Sequence, residues 1–458
     1  MRKNRLVAAT AAAALLASGL IGATSAQAAD RTITVWVPFG GGNLAMWQAS
    51  ADRIEAKNPG LTIDLVGEID MAKSLAAINA GNGPDISVAN GAGNVGWFCG
   101  TGAWQNINDL VSGKKYNNPL NMAKTFTPGS IRTTLSGKVR CALPFSSEIF
   151  GFYYNKDLLQ AKGISVPKTT TQLIAASKKL TTFEANGDIK TAGYIPWAGF
   201  MDNDMGSLFL GHMFGARWFN AKGQSSFAAD PAWAKAFAWQ KEFIRTVYGN
   251  GSFATGSRKI QKFIAGAGDF WGGNNDFIKG RVAMLAHADW MSMMWCDPEG
   301  WNLNPCTTPA VNFGTAPLPV APNLVKSHYG SGVMGNNTFG ISRGTTNVKD
   351  AWIVLKGLAT DKTLALAWAN ANGDPSSLLA ARTKSGTNLA YPSFYQAFYN
   401  ISNHKLSGYH PLLNTSEHLE EAGLQTLMSA WQANTVGDVR NGLRDLAKRV
   451  NQIIARNK

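Results

Sequence analysis

In the run Leu143-Pro144-Phe145-Ser146-Ser147-Glu148-Ile149-Phe150-Gly151-Phe152-Tyr153-Tyr154-Asn155-Lys156-Asp157-Leu158-Leu159, three apolar-led residues step into a polar Ser-Ser-Glu trio. A β-rich segment, Ile149 to Tyr154, follows, and Asn155 to Leu159 closes the element. Aromatic and β-branched residues fit a pleated, half-buried surface, so the middle of the run reads as a strand. From about residue 168 the period changes, and Ile174, Ala175, Lys178 and Leu180 fall on helical spacings.

Upstream, the chain alternates. Ile33 to Val37 reads as a strand, and Gly40-Gly41-Gly42-Asn43 as a Gly-rich turn. A helix follows with Trp47, Ala51 and Ile54 on one face, stopping at Asn58-Pro59-Gly60. A second strand (61–66), a helical stretch (71–78) and a third strand (84–88) complete a β-α-β-α-β opening. That order predicts an α/β sheet with helices on its faces. Ligands of open α/β sheets bind beyond the carboxyl ends of the strands, where residues 39–43 and 90–94 fall. Downstream, aromatic-rich helical segments are expected to about residue 290. The chain ends in an amphipathic helix carrying Val436, Val439, Leu443, Leu446, Val450 and Ile453.

The first residues read as an export signal covering 1–29. Arg2, Lys3 and Arg5 precede an apolar stretch, Leu6 to Ala23, and Ala26-Gln27-Ala28 supplies a small-x-small cleavage pattern. The apolar stretch is short for a membrane span, and no cysteine at the cleavage site suggests a lipid anchor. The expected location is therefore periplasmic or secreted. About 430 residues remain, more than one compact core accommodates, so two domains are expected.

Hydrophobic residues make up 45% and charged residues only 16%, the balance of a globular protein. The formal net charge is +14, without a dense Lys/Arg block interleaved with aromatics, so nucleic acid is not an expected partner. A diffusely basic surface, or an acidic saccharide as ligand, are the readings left open. Fifteen Trp stand beside 22 Phe and 10 Tyr; most belong in the core, and a surplus suits flat, partly apolar ligands such as sugar rings. Four cysteines in an exported chain favour disulfides: Cys296 with Cys306 across a Pro/Gly/Asn-rich loop, which leaves Cys99 with Cys141. Each such loop closure contributes roughly 3 kcal/mol on the chain-entropy model. No C-x-x-C and no histidine at ligand spacing point to a metal, and none is expected, nor any cofactor.

With Gly163-Ile164, Val166-Pro167-Lys168-Thr169 and Leu173 added, the 143–180 region resembles the extracellular solute-binding proteins of family 1, the sugar-binding components of ABC importers. Further segments fit in order. Gly280-Arg281-Val282-Ala283-Met284 with Asp289-Trp290 is similar to the family's "G-K-A-A-M … G-x-W" element. Thr338-Phe339-Gly340-Ile341-Ser342, with Asp350-Ala351-Trp352 and Leu358, resembles its return crossing and helix. Gly373-Asp374-Pro375 near Ser376-Ser377 resembles its "G-x-x-P" turn. The resemblance implies a type II-like, two-lobed periplasmic-binding-protein fold, each lobe a mixed sheet flanked by helices, joined by hinge strands. One lobe would comprise 30–147 plus 337–378, the other 148–336 plus 379–458.

It also implies ligand residues. Trp290 falls on the tryptophan that stacks on sugar in relatives, or else is a core tryptophan after a strand. Glu148 falls on a hinge acid that contacts ligand in several relatives, or else forms a hinge salt bridge. Trp271, Asn274 and Asn275 make a short polar–aromatic cluster; Trp197, Phe200 and Asn203 make a similar mixture in the second lobe. Asn43 and Asn90 lie in the loops after the first and third strands. The implied partners are a carbohydrate, and an ABC-type permease with a cytoplasmic ATPase; the chain is expected to be a monomer.

Enzyme motifs are missing from the sequence. There is no H-E-x-x-H, no G-x-S-x-G with a credible His partner, and only six scattered His. A glycoside hydrolase needs two carboxylates flanking one bond, which counting acids does not exclude. The expectation is therefore a binding protein, with a secreted hydrolase or lyase, or the same fold serving a non-sugar or acidic solute, as alternatives.

Overall fold

The computed structural model describes residues 31–456 apart from 92, 198–199, 201–205, 269–272, 297–308, 383–391 and 411–418. The signal segment, Trp271, Asn203 and the pairing of Cys296 with Cys306 lie outside the described residues.

Eleven strands are described: β1 Arg31–Trp36, β2 Leu61–Val66, β3 Ile86–Ala89, β4 Leu135–Ser136, β5 Val139–Arg140, β6 Leu143–Asn155, β7 Thr182–Phe183, β8 Ile189–Tyr194, β9 Val282–Ala288, β10 Phe313–Ala316 and β11 Met334–Ile341. One mixed sheet runs β2-β1-β3-β11-β6-β9-β8-β7, with β10 on β6, while β4 and β5 form a separate hairpin. The opening β1-β2 and β1-β3 pairs are parallel, as the alternation of strands and helices requires.

Strand β6 organises the rest. Its 13 residues span roughly 43 Å at about 3.3 Å per residue. Its first half pairs with β11, and its second half with β9 and β10. Leu143 and Phe145 join a core built with Ile33, Trp47, Phe339 and Trp352. Ile149, Phe152 and Tyr153 join a second, aromatic-rich core with Trp233, Phe237 and Trp295. One strand therefore serves both lobes. The β6–β11 register shifts between Asn337 and Thr338, beside Pro144, which has no N–H to give the ladder.

That crossing is packed with hydroxyls. Ser130 Oγ donates to Ser377 Oγ at 3.0 Å, and Ser147 Oγ lies 3.3 Å from Ser130 Oγ and 3.2 Å from Ser377 Oγ. Ser377 Oγ donates to Asn336 Oδ1 at 3.2 Å, and all four residues are buried. Nearby, a disulfide joins Cys99 to Cys141, tying the helix Gly93–Gly100 to the residues that lead into β6.

Two local expectations change. The helix Gly41–Lys57 begins inside the expected glycine turn, with Gly40 as its N-cap. Glycine is accepted at an N-cap, where the chain need not yet be helical. The region expected to be helical up to residue 290 contains β8 and β9, paired in parallel. Every residue of β9 is buried, so the period of two that marks a half-exposed strand is absent from its sequence. No helix among the described residues is long and apolar enough to cross a membrane.

Candidate functional site

A cleft of about 470 Å³ opens where several elements end. The loop after β1 brings Phe39, Gly40 and Asn43; the loop after β3 brings Asn90; β6 and β11 bring Glu148 and Asn337. The turn after β9 brings Trp290. Phe39 packs on the first core and Trp290 on the second, so both lobes supply walls.

The helix Lys362–Asn372 builds one wall. Asp361 caps it by accepting from Thr363 and Leu364 N–H. Trp368 and Asn372, four residues apart, share the face turned to the cleft. Gly373 then adopts φ 73°, a left-handed cap that turns the chain and delivers Asp374 to the same cleft. Trp368 Nε1 donates to Asp374 Oδ2 at 2.8 Å. Its ring sits 4.6 Å from Phe39 and 4.9 Å from Phe145, which in turn lies 4.8 Å from Trp47. Asn43 and Asn372 exchange two amide hydrogen bonds, 3.1 and 2.9 Å, fixing the start of one helix to the end of the other.

On the opposite side, Asp289 locks the turn after β9 onto β6. Its N–H donates to Ile149 O at 2.9 Å, its Oδ2 accepts from Ile149 N at 3.1 Å, and its Oδ1 accepts from Trp290 N. Tyr153 Oη donates to the Ala288 and Asp289 carbonyls. Trp290, fixed at its backbone, meets the His287 ring edge-on at 5.0 Å.

Three carboxyls thus converge from three elements, and each is perturbed. Burial pushes Glu148 up to about 7. Burial, with the charge of Glu148 adding to it, pushes Asp374 up to about 8 against the lowering hydrogen bond from Trp368. Burial and the charges of Asp374 and Glu148 raise Asp289. No salt bridge among the described residues involves any of the three, so the hinge ion pair considered for Glu148 is not formed there.

The cleft also holds buried acceptors with nothing to accept. Asn90 Oδ1, Asn337 Oδ1 and Asp374 Oδ1 receive no hydrogen bond of normal geometry, although the Ser146 hydroxyl and the Asp289 carboxyl lie close to Asp374. Asn337 spends its own amide N–H on Ser146 Oγ at 2.8 Å. Donors come from the uncapped N-terminus of the helix Gly41–Lys57, whose first N–H groups have no side-chain partner. No Lys or Arg lines the cleft among the described residues. Acceptors, backbone donors and aromatic faces in one concavity suit a polyhydroxylated ring, with hydroxyls for the polar groups and C–H faces for the aromatics.

Of the residues singled out in the sequence, Asn43, Asn90, Glu148 and Trp290 meet in this cleft. The others do not. Phe200 is a core residue packed near Phe263, and Trp197 borders a separate cavity of about 20 Å³ with Tyr194 and Met428. Asn275 is buried and accepts from Phe277 N–H, while Asn274 is exposed. Phe39 fell in the loop 39–43 expected beyond the first strand, whereas Asn337, Trp368, Asn372, Asp289 and Asp374 were not put forward as ligand residues. Asp289 stood next to Trp290 and Asp374 inside the Gly-Asp-Pro turn, the two signals that pointed to them. A larger groove of about 870 Å³ lies on the second lobe between the helices Pro231–Val247 and Val439–Arg456, and it contains none of the unpaired acceptors.

The family model for the bacterial extracellular solute-binding protein matches residues 41–364. A maltotriose-binding protein of Pyrococcus abyssi is 21% identical over 337 residues, 73% of this chain and 64% of that relative. Among solved structures, CpMnBP1 with mannobiose bound superposes with a TM-score of 0.70 at 21% identity, covering 92% of this chain and 99% of its own. The sugar-binding protein MalE of Xanthomonas citri gives 0.68 at 18% identity, covering 93% and 98%. The GacH receptor of Streptomyces glaucescens gives 0.65 at 16% identity, covering 93% and 99%. These likenesses establish the fold, two α/β lobes of the type II-like binding-protein class.

Proposed function

The chain belongs to the bacterial extracellular solute-binding proteins, and on that premise we propose that it captures a carbohydrate, an oligosaccharide in particular, between its lobes for an ABC importer. The observation that carries the reading is the cleft itself: Trp290 from one core faces Phe39 and Trp368 from the other, across buried acceptors that lack donors. A sugar supplies both the missing hydroxyl donors and an apolar face. The names of the similar proteins, which mention maltotriose, mannobiose and acarbose, support the same ligand class. An acidic ligand is disfavoured, because carboxyls and no cations line the described cleft.

In this reading the lobes are 30–147 plus 337–378 and 148–336 plus 379–458, and residues 1–29 direct export. A ligand that bridges both walls selects the closed arrangement, since only that arrangement makes both sets of contacts. The closed monomer then docks on a membrane permease driven by a cytoplasmic ATPase. The test is a thermal-shift screen over neutral, amino and uronic saccharides of several lengths. Stabilisation without product is the expected result, because a ligand of the native state raises its stability. Release of a cleaved product would replace this reading with that of a carbohydrate-active enzyme, and silence across the screen would end the carbohydrate assignment.

A further inference from the structure

Buried acids elsewhere in the molecule have cations. Asp350 is bridged by Arg31 at 2.6 Å, Asp230 by Arg217 at 3.0 Å, and Asp276 by Arg281 at 3.1 Å. Asp289 and Asp374, at most 3% exposed, have none among the described residues, and neither does Glu148. A carboxyl removed from water is either paired with a cation or kept neutral by its proton, because an isolated buried charge is expensive, and an arriving cation takes that proton's place. The cleft carboxyls thus differ from the other described buried acids in having no cation among the described residues.

A metal ion does not suit these carboxyls, since no group of three or more acidic or histidine side chains among the described residues has the arrangement to hold one. A protonated amine does fit. An ammonium group has three N–H donors; Asn337 Oδ1, on a residue 5% exposed, accepts no hydrogen bond, and the Asp374 and Glu148 carboxyls line the same cleft. Trp290 and Trp368 add aromatic surfaces to which cations are attracted.

Resting on the saccharide reading above, we propose that the ligand is an amino sugar, or an oligosaccharide containing one, whose ammonium group seats against Glu148 and Asp374. The helix N-terminus at Gly41 then meets the hydroxyl end of the ligand.

The experiment is calorimetry of the whole exported protein with sugars differing in one substituent. The probes are glucosamine, glucose and N-acetylglucosamine and their β-1,4-linked di- and trimers, together with the amine, hydroxyl and acetamide forms of any saccharide the screen identifies. The amine form should bind at least about tenfold tighter than its hydroxyl and acetamide counterparts. Asp374→Asn keeps the acceptor for Trp368 and removes the charge, so the amine-to-hydroxyl affinity ratio should fall towards one; a native melting transition checks folding. Equal or tighter binding of the hydroxyl or acetamide forms overturns the amine assignment and leaves the saccharide reading standing. Binding by no member of any set overturns both.

Discussion

The cleft and the outer groove of the second lobe solve opposite electrostatic problems. The groove is nearly twice as large, about 870 against 470 Å³, and Lys241, Arg245, Arg440 and Arg444 border it. Its cations are open to solvent or already complemented. Arg245 pairs with Glu242, and Lys241 lies over the rings of Trp431 and Phe253 at 5.0 and 5.2 Å. The cleft has the reverse sign, with carboxyls recessed from water and no counter-charge among the described residues. A net charge of +14 thus describes the outside of the molecule and misreports the place where a ligand would sit. Summed charge governs solubility and long-range steering, while recognition depends on the few groups that are desolvated.

This contrast can be broken at several points. The largest effect should come from Trp368→Ala, which removes a ring packed on Phe39 and Phe145 together with its hydrogen bond to Asp374 Oδ2. Large aromatic truncations in cores cost about 3–5 kcal/mol, to be read by urea unfolding, whereas Lys241→Ala in the groove, which gives up only its contacts with two rings, should cost about 1 kcal/mol or less. Similar losses at both places would mean the cleft is no better packed than the surface. Next, Trp290→Ala should weaken the saccharide found by screening by ~2 kcal/mol, about thirtyfold, with Lys241→Ala leaving it unchanged. An unaltered dissociation constant for Trp290→Ala would remove stacking from the account.

The pH response should differ in sign. Glu148 and Asp374 titrate near 7 and 8, above their unfolded range, so the native state holds protons that the unfolded chain has released. Their contribution is complete below the unfolded carboxyl range and is lost as pH rises through about 7 and 8. The ligand-free melting temperature should therefore fall between pH 5 and 8.5, and Asp374→Asn should flatten the decline. Glu242 in the groove is held low by Thr246 and Arg245 and would act in the opposite direction, but it is too exposed to matter. The smallest effect belongs there: Arg245→Ala should change stability by about 0–1 kcal/mol, vanishing in high salt. A larger change would show that the groove, too, depends on its charges.

Much of the architecture was legible because it is local. The β-α-β-α-β opening shows in alternating periods, and the 143–159 run announced a strand with a polar step at Glu148. Strands β8 and β9 were hidden because β9, buried on both faces, has no alternation to read. The cleft was half legible. Asn43, Asn90, Glu148 and Trp290 could be named from strand ends and family motifs, and they do meet. Asn337 and Asp374 were not put forward as ligand residues, because their chemistry exists only once β11 lies beside β6 and Gly373 turns the chain inward. Phe200 illustrates the converse: an aromatic among polar neighbours looks like a ligand contact, and packing placed it in the core.

The hydroxyl cluster where β6 passes between the lobes has a mechanical meaning. Ser130, Ser147 and Ser377 lie within 3.3 Å of one another, and for the contacts of Ser147 either oxygen can donate. A hydroxyl proton swings from one acceptor to another with a single torsion. Flexing at this joint would trade bonds among three equivalent partners without stranding any of them. Alanines there would keep the backbone path and could make no such trade.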